Sequence, residues 1–146
     1  MSGIQIDIKR SGFPVKIGEV DLWFDDSLEN IVNFFDAEKK LQEKDLEIAE
    51  KLKKYEDVDE TNMDTKTANK ILELKKESIA AFYDETFGEG SFKKVYDKYP
   101  HVDELESIIV PISKAISDAA IERQNKRMKQ AESELNEIDK KRAKKK

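Results

Sequence analysis

The amino-acid sequence predicts an α+β fold in which helix predominates, with an N-terminal β-hairpin or meander followed by about four helices, the first and last of them long. Two observations support this prediction. Apolar and polar side chains alternate near the N-terminus, which is the period of a half-buried strand. Further along, apolar residues recur at helical spacing among many charged ones, and charged residues make up 40% of the chain. That composition is typical of long amphipathic helices.

The clearest strand pattern surrounds Gly18-Glu19. Apolar residues occupy odd positions before this pair and even positions after it. A two-residue type II′ turn with glycine first produces such a change. The resulting register places six apolar side chains on one face as three cross-strand pairs: Ile17 with Val20, Val15 with Leu22, and Phe13 with Phe24.

An earlier strand is predicted where Ile4, Ile6 and Ile8 alternate with polar residues, followed by a turn over residues 9–12. The domain prediction follows from these patterns. Residues 1–139 would form a single domain, with a β-meander over 3–25 and a helical part over 26–139. Residues 140–146 would be a basic, disordered tail because like charges repel and bury nothing.

The first helix is predicted to begin at Asp26, which forms a capping-box-like pair with Glu29. One apolar stripe, expected to face the core, follows it and begins with Leu28, Ile31, Val32 and Phe35. The stripe continues sparsely through Leu41, Ile48, Leu52 and Tyr55, and Phe34, Leu41, Ile48 and Tyr55 recur at strict seven-residue spacing.

Later helices are marked by glycine, proline and capping signals. Gly88 or Gly90 should end the second helix, and Ser91 should cap a short third one. Asp103 with Glu106 is another capping-box-like start. Pro111 lies inside a strong apolar stripe, where it should kink or divide the helix.

Composition excludes several classes of protein. The chain has no cysteine, so disulfides and thiolate metal sites are excluded. No apolar run approaches the roughly 20 residues of a membrane span, and the N-terminus lacks a signal-peptide pattern, so we expect a cytoplasmic protein. Residues 1–121 carry a net negative charge and only residues 122–146 are basic. This distribution argues against general nucleic-acid binding.

No residue pattern indicates catalysis or a cofactor. The acidic segment Asp57–Asp64 resembles a calcium loop, but Asn62 and Ala68 stand where glycine and a bidentate Glu are needed. His101 is the one histidine, so no catalytic triad can be assembled without it. Gly88-Glu89-Gly90 is too short to cradle a phosphate. We therefore expect a non-enzymatic protein without metal or cofactor.

Three aromatic residues are candidate protein-binding residues: Trp23, Phe34 and Phe35. Trp23 is predicted to face away from the apolar side of the hairpin, and Phe34 lies off the first apolar stripe of its helix. Packing within the chain is one interpretation of these side chains. An exposed binding patch is the other.

Two segments carry a family resemblance. They are the hairpin at residues 15–25 (VKIGEVDLWFD) and residues 81–96 (AFYDETFGEGSFKKVY), separated by a long charged helix. In this order they resemble the tail assembly chaperones of long-tailed phages and prophages of Gram-positive bacteria. The resemblance covers roughly residues 13–120 and implies a helical, non-catalytic protein that binds the tape-measure protein while tail-tube subunits assemble around it.

Two other classes stay open. A helical structural protein could use its sparse heptad stripe to form a homo-oligomer. A nucleic-acid-linked protein could use the basic C-terminal tail.

Overall fold

The computed structural model describes residues 3–59 and 61–144. It confirms the predicted α+β fold class, with helix dominating after a two-stranded antiparallel sheet. The elements in chain order are β1 (Phe13–Ile17), β2 (Val20–Phe24), α1 (Leu28–Leu52), a short 3₁₀ helix (Lys53–Tyr55), α2 (Thr65–Phe87), α3 (Ser91–Lys98), α4 (Val102–Ser107) and α5 (Ile109–Lys144). Among the described residues, no helix is long and apolar enough to cross a membrane.

The hairpin register is the predicted one. Ile17 pairs with Val20, and the pairing continues to Phe13 opposite Phe24. Gly18 has φ of +59°, the left-handed value that the first position of a type II′ turn requires. The buried side chains on the inner face are Ile17, Leu22 and Phe24.

The predicted third strand is wrong. Residues 3–10 have no regular structure, and Ile4, Ile6 and Ile8 are 94%, 81% and 94% exposed. The reason lies just before β1, where the Ser11 hydroxyl donates a hydrogen bond to Asp26 Oδ1 (2.6 Å). This contact draws the chain toward the end of β2, whereas a third strand would need it to turn back along β1.

The start of α1 also differs from the prediction by one residue. Ser27 is the N-cap, and its hydroxyl accepts a hydrogen bond from the Asn30 backbone N–H (3.2 Å). Asp26 is instead buried and paired with Ser11. The local pattern predicted Asp26 as the N-cap, but its side chain forms a tertiary hydrogen bond with Ser11, and Ser27 caps the helix instead.

Helices α1 and α2 pack together through the heptad pattern of α1. Ala37 and Ile48 are buried on this side, and Phe34 and Leu41 are half-buried. Outside the apolar seam, Lys44 forms an ion pair with Glu77, and the Ser78 hydroxyl donates a hydrogen bond to Asp45 Oδ1 (2.6 Å). The hydrogen bond that the Lys44 ammonium donates to the Glu77 carboxylate raises the pKa of Lys44 and lowers that of Glu77.

The turn between α2 and α3 is fixed by a cap from the preceding helix. Gly88 ends α2 with φ of +110°, as predicted. Gly90 is the N-cap of α3 in place of the predicted Ser91, and it contributes no side chain. Asp84 Oδ1 supplies the cap instead by accepting a hydrogen bond from the Phe92 backbone N–H (3.0 Å).

Tyr83 lies at the centre of the core and is fully buried. Its ring contacts those of Phe82, Phe87 and Phe92, with centroids 5.4, 6.4 and 6.1 Å away. Its hydroxyl donates a hydrogen bond to the backbone carbonyl of Leu105 (2.9 Å), which joins α4 to α2. Burial raises the pKa of Tyr83 to about 12.

The chain divides into two compact units, Met1–Ser107 and Ile108–Lys146, and the single domain over residues 1–139 stays a prediction. The predicted division of the helix near Pro111 is confirmed, since α4 ends at Ser107 and α5 begins at Ile109. Pro111 is the third residue of α5, within the first turn, where a missing N–H loses no helical hydrogen bond. Helix α5 continues to Lys144, so residues 140–144 are helical, whereas a disordered tail was expected.

Candidate protein-binding surface

Trp23 lies on the outer face of the hairpin, as predicted, but its ring packs against the chain that precedes β1. The indole Nε1–H donates a hydrogen bond to the Ser11 backbone carbonyl (3.0 Å). The Arg10 guanidinium lies 4.4 Å from the ring centroid, the geometry of a cation–π interaction. Trp23 is consequently half-buried, and its own chain satisfies its polar atom.

A groove of about 590 Å³ opens beside Trp23. Its apolar lining includes Trp23, Pro14 and Phe87, while Asp21 and Lys94 contribute opposite charges. Aromatic rings accompanied by charges of both signs are common at protein interfaces. The groove is thus a secondary candidate for contact with another protein.

Phe34 faces inward. It is half-buried, and its ring meets that of Phe24 edge-on, with centroids 6.4 Å apart and an interplanar angle of 82°. This pair packs α1 onto the hairpin. Phe34 is therefore a packing residue that joins α1 to the hairpin.

Phe35 faces outward and is 64% exposed. Leu28 and Val32, which precede it at spacings of seven and three residues, are 74% and 56% exposed. Leu46, eleven residues after Phe35, is 72% exposed. At 3.6 residues per turn these four side chains share one side of the helix. We call this set, Leu28, Val32, Phe35 and Leu46, the α1 outer face.

The α1 outer face corrects the sequence interpretation. Leu28, Val32 and Phe35 were expected to face the core, yet they lie on the side opposite to Phe34 and Ile48. The heptad pattern was the better signal for the core, because a helix that packs on one neighbour can bury only one apolar stripe. The strict seven-residue spacing marked the buried stripe, and the denser apolar cluster near the N-terminus of α1 is the exposed one.

The other candidate residues have local structural roles. Asp59 accepts a hydrogen bond from the Thr61 N–H (3.0 Å), and Asp64 caps α2 by accepting one from the Thr67 N–H (2.7 Å). Hydrogen bonds from Thr67 lower the pKa of Asp64, and the backbone hydrogen bond from Thr61 lowers that of Asp59. His101 is exposed. Within residues 3–59 and 61–144, no group of three or more His, Asp or Glu side chains could hold a metal ion.

No protein-family model, curated protein or solved structure matches this chain.

Proposed function

We propose that the chain is a tail assembly chaperone of long-tailed phages and prophages of Gram-positive bacteria. In this proposal it binds the tape-measure protein and tail-tube subunits in the cytoplasm of the host cell, and it catalyses no reaction. The resemblance of the hairpin and of the segment around Gly88 supports this choice of client. The structural observation that carries the proposal is the α1 outer face.

The N-terminal part of the α1 outer face suits a helical client. Leu28, Val32 and Phe35 lie within two turns of one helix, and each is more than half exposed. Apolar side chains at this spacing are the anchors by which one amphipathic helix packs along another. A client helix with its own apolar stripe would cover them and remove both stripes from water.

The opposite side of α1 holds this surface in place. The Lys44–Glu77 ion pair and the hydrogen bond from Ser78 to Asp45 join the middle of α1 to α2, and Phe34 packs its N-terminal part onto Phe24. A surface that is already ordered loses less conformational entropy on binding. These contacts therefore favour capture by α1 in its folded conformation.

Charge adds a preference among clients. Between Leu28 and Leu52, α1 carries seven acidic and four basic residues. A client stripe flanked by Lys or Arg would complement this excess, and complementary charge contributes mainly to association rate and specificity. Raising the salt concentration should slow capture without abolishing it.

Co-expression with the tape-measure protein encoded in the same genome tests the proposal. The wild-type chain should keep this client in solution and co-purify with it. Phe35→Asp should reduce the captured client at least about tenfold, because a charge replaces an apolar anchor and tenfold corresponds to about 1.4 kcal/mol. Asn33→Asp is the matched control, since it adds the same charge at an exposed position two residues away.

Trp23 and Phe34 are examined in the same assay. Trp23→Asp should weaken capture if the groove beside it contacts the client, and Phe34→Asp should lower stability because Phe34 packs on Phe24. An insoluble client in the presence of the wild-type chain would reject the proposal. Equal capture by wild type and by a folded Phe35→Asp variant would show that the α1 outer face does not bind the client.

Self-association is the second candidate function. It is favoured by a separate observation on α5, where Ile121, Met128, Leu135 and Ile138 are exposed. Association of copies is compatible with chaperone activity, because the apolar residues involved differ from those of the α1 outer face.

A further inference from the structure

The second half of α5 is exposed on every side. Each residue from Gln124 to Lys144 is exposed, although α5 is an unbroken helix of 36 residues. In proteins, most of the stability of a helix comes from the packing of its apolar face and not from helix propensity alone. Packing against another helix would therefore stabilise this part of the molecule.

The apolar residues from Ile121 to Ile138 follow a heptad pattern. Ile121, Met128 and Leu135 recur every seven residues and are 61%, 57% and 60% exposed. Ala131 and Ile138 each follow three residues after one of them, and Gln124 occupies the equivalent position after Ile121. These are the a and d positions of a coiled coil. We call this set, Ile121, Gln124, Met128, Ala131, Leu135 and Ile138, the α5 seam.

The charges of α5 alternate in blocks. Residues 123–129 contain four basic and no acidic side chains, residues 130–139 four acidic and no basic ones, and residues 140–144 four basic ones. Two parallel copies in register would place like charges together in all three blocks. Two antiparallel copies with Met128 opposite Ala131 would place the first basic block beside the acidic block of the partner.

The antiparallel register also pairs side chains of suitable size. Met128 meets the small Ala131 of the second copy, and Ile121 meets Ile138. Gln124 lies opposite Leu135. Large residues opposite small ones allow two helices to interdigitate without a void.

We propose that two copies of this chain associate through the α5 seam as an antiparallel coiled coil spanning residues 121–138. This inference names the surface for the self-association proposed above. The occupant is a second copy because the charge blocks of α5 complement those of an identical antiparallel helix. The first basic block and the acidic block of each copy then face opposite charge, which attracts the partners and fixes their register.

Sedimentation equilibrium of the full-length chain, with no client present, tests the association. Met128→Lys with Leu135→Lys should raise the dimer dissociation constant at least about 100-fold, because it removes two apolar anchors from each copy. Gln130→Lys with Ser133→Lys is the control. It adds the same charge at exposed positions of the same turns, outside the α5 seam, and should change the constant less than about threefold.

Either of two results would overturn the proposal: a wild-type chain that stays monomeric at all concentrations, or a dimer that the Met128→Lys, Leu135→Lys variant leaves intact. Because no client is present, these results are independent of tape-measure capture. All four positions are exposed, so each variant should keep the fold of residues 3–107. Near-ultraviolet circular dichroism checks this, because every aromatic residue of the chain lies in that part.

Engineered cysteines test the orientation, since the natural chain has none. An Ile121→Cys variant mixed with an Ile138→Cys variant should form a disulfide-linked dimer, whereas either variant alone should not. Ser133→Cys lies outside the α5 seam and should form no disulfide-linked dimer, either alone or mixed with the Ile121→Cys or the Ile138→Cys variant. Cross-linking of Ile121→Cys with itself would show parallel helices and reject the antiparallel arrangement, since a disulfide needs Cα atoms within about 7 Å.

Discussion

The hydroxyl of Ser11 donates a 2.6 Å hydrogen bond to Oδ1 of Asp26, and the Asp26 side chain is buried, with only 3% of its surface exposed. The bond joins the segment before β1 to the segment that connects β2 to α1. It accounts for two departures from the sequence prediction, namely the missing third strand and the displaced helix cap.

Ser11→Ala should lower the free energy of unfolding by about 1.5–3 kcal/mol. The variant removes the donor and leaves a buried carboxylate short of one hydrogen bond, which costs more than losing a bond at the surface. Urea denaturation monitored by circular dichroism measures the change. Ser133→Ala, at an exposed position of α5, is the control and should change stability by less than about 0.5 kcal/mol. Equal losses of unfolding free energy in Ser11→Ala and Ser133→Ala would show that the Ser11–Asp26 hydrogen bond does not stabilise the fold.

Gly18→Ala should be more destabilising than Gly90→Ala. Both glycines have positive φ, at +59° and +89°, so both substitutions introduce backbone strain of about 1–2 kcal/mol. Only at Gly18 would the added Cβ overlap another side chain, that of Tyr99, while no atom lies within 4 Å at Gly90. Moving Tyr99 would also weaken the hydrogen bond from the Glu19 N–H to its hydroxyl (2.9 Å). Thermal unfolding of the two variants gives the comparison, and a larger loss at Gly90 would contradict this account.

Tyr83 should make stability fall at high pH. Burial raises its pKa from 10.0 to about 12, so the folded protein retains a proton that the unfolded chain releases. This contribution is complete below pH 10 and is lost as pH rises toward 12. Tyr83→Phe should remove that decline, and it should cost about 1 kcal/mol at pH 8 by breaking the hydrogen bond to Leu105. Urea midpoints at pH 8, 10 and 11 measure both effects. If stability declined equally with pH in wild type and in Tyr83→Phe, the decline would come from other titrating groups.

Thr86→Val should stabilise the protein by up to about 1 kcal/mol. Thr86 is buried, and its hydroxyl has no hydrogen-bond partner in the part of the chain that the structure describes. Valine has nearly the same shape and removes a polar atom whose burial is unfavourable. Thermal denaturation should show a higher midpoint. Thr65→Val, at an exposed position, controls for the helix propensity of valine, and a loss of stability specific to position 86 would reveal a polar role for the hydroxyl.

Local chemistry determined much of this fold. The hairpin register followed from alternation and from Gly18, because a two-residue turn leaves one pairing that keeps six apolar side chains together. Gly88 ended α2 because glycine adopts the positive φ of a helix end without strain. Pro111 marked the division between α4 and α5 because proline fixes φ and lacks a backbone N–H. In each case the cause and its effect lie within a few residues of one another in the chain.

Tertiary contacts decided the rest. The sequence contained two apolar stripes on α1, and only packing against α2 and Phe24 determined that Phe34 faces inward and Phe35 outward. The alternation at Ile4, Ile6 and Ile8 indicated a strand, but residues 3–10 pair with neither β1 nor β2. Burial and strand pairing both require a second surface at a specific place, and the residues that supply it are distant in sequence. Periodicity thus identified which apolar side chains share a face, whereas the tertiary structure decided which of these faces remain exposed and available for binding.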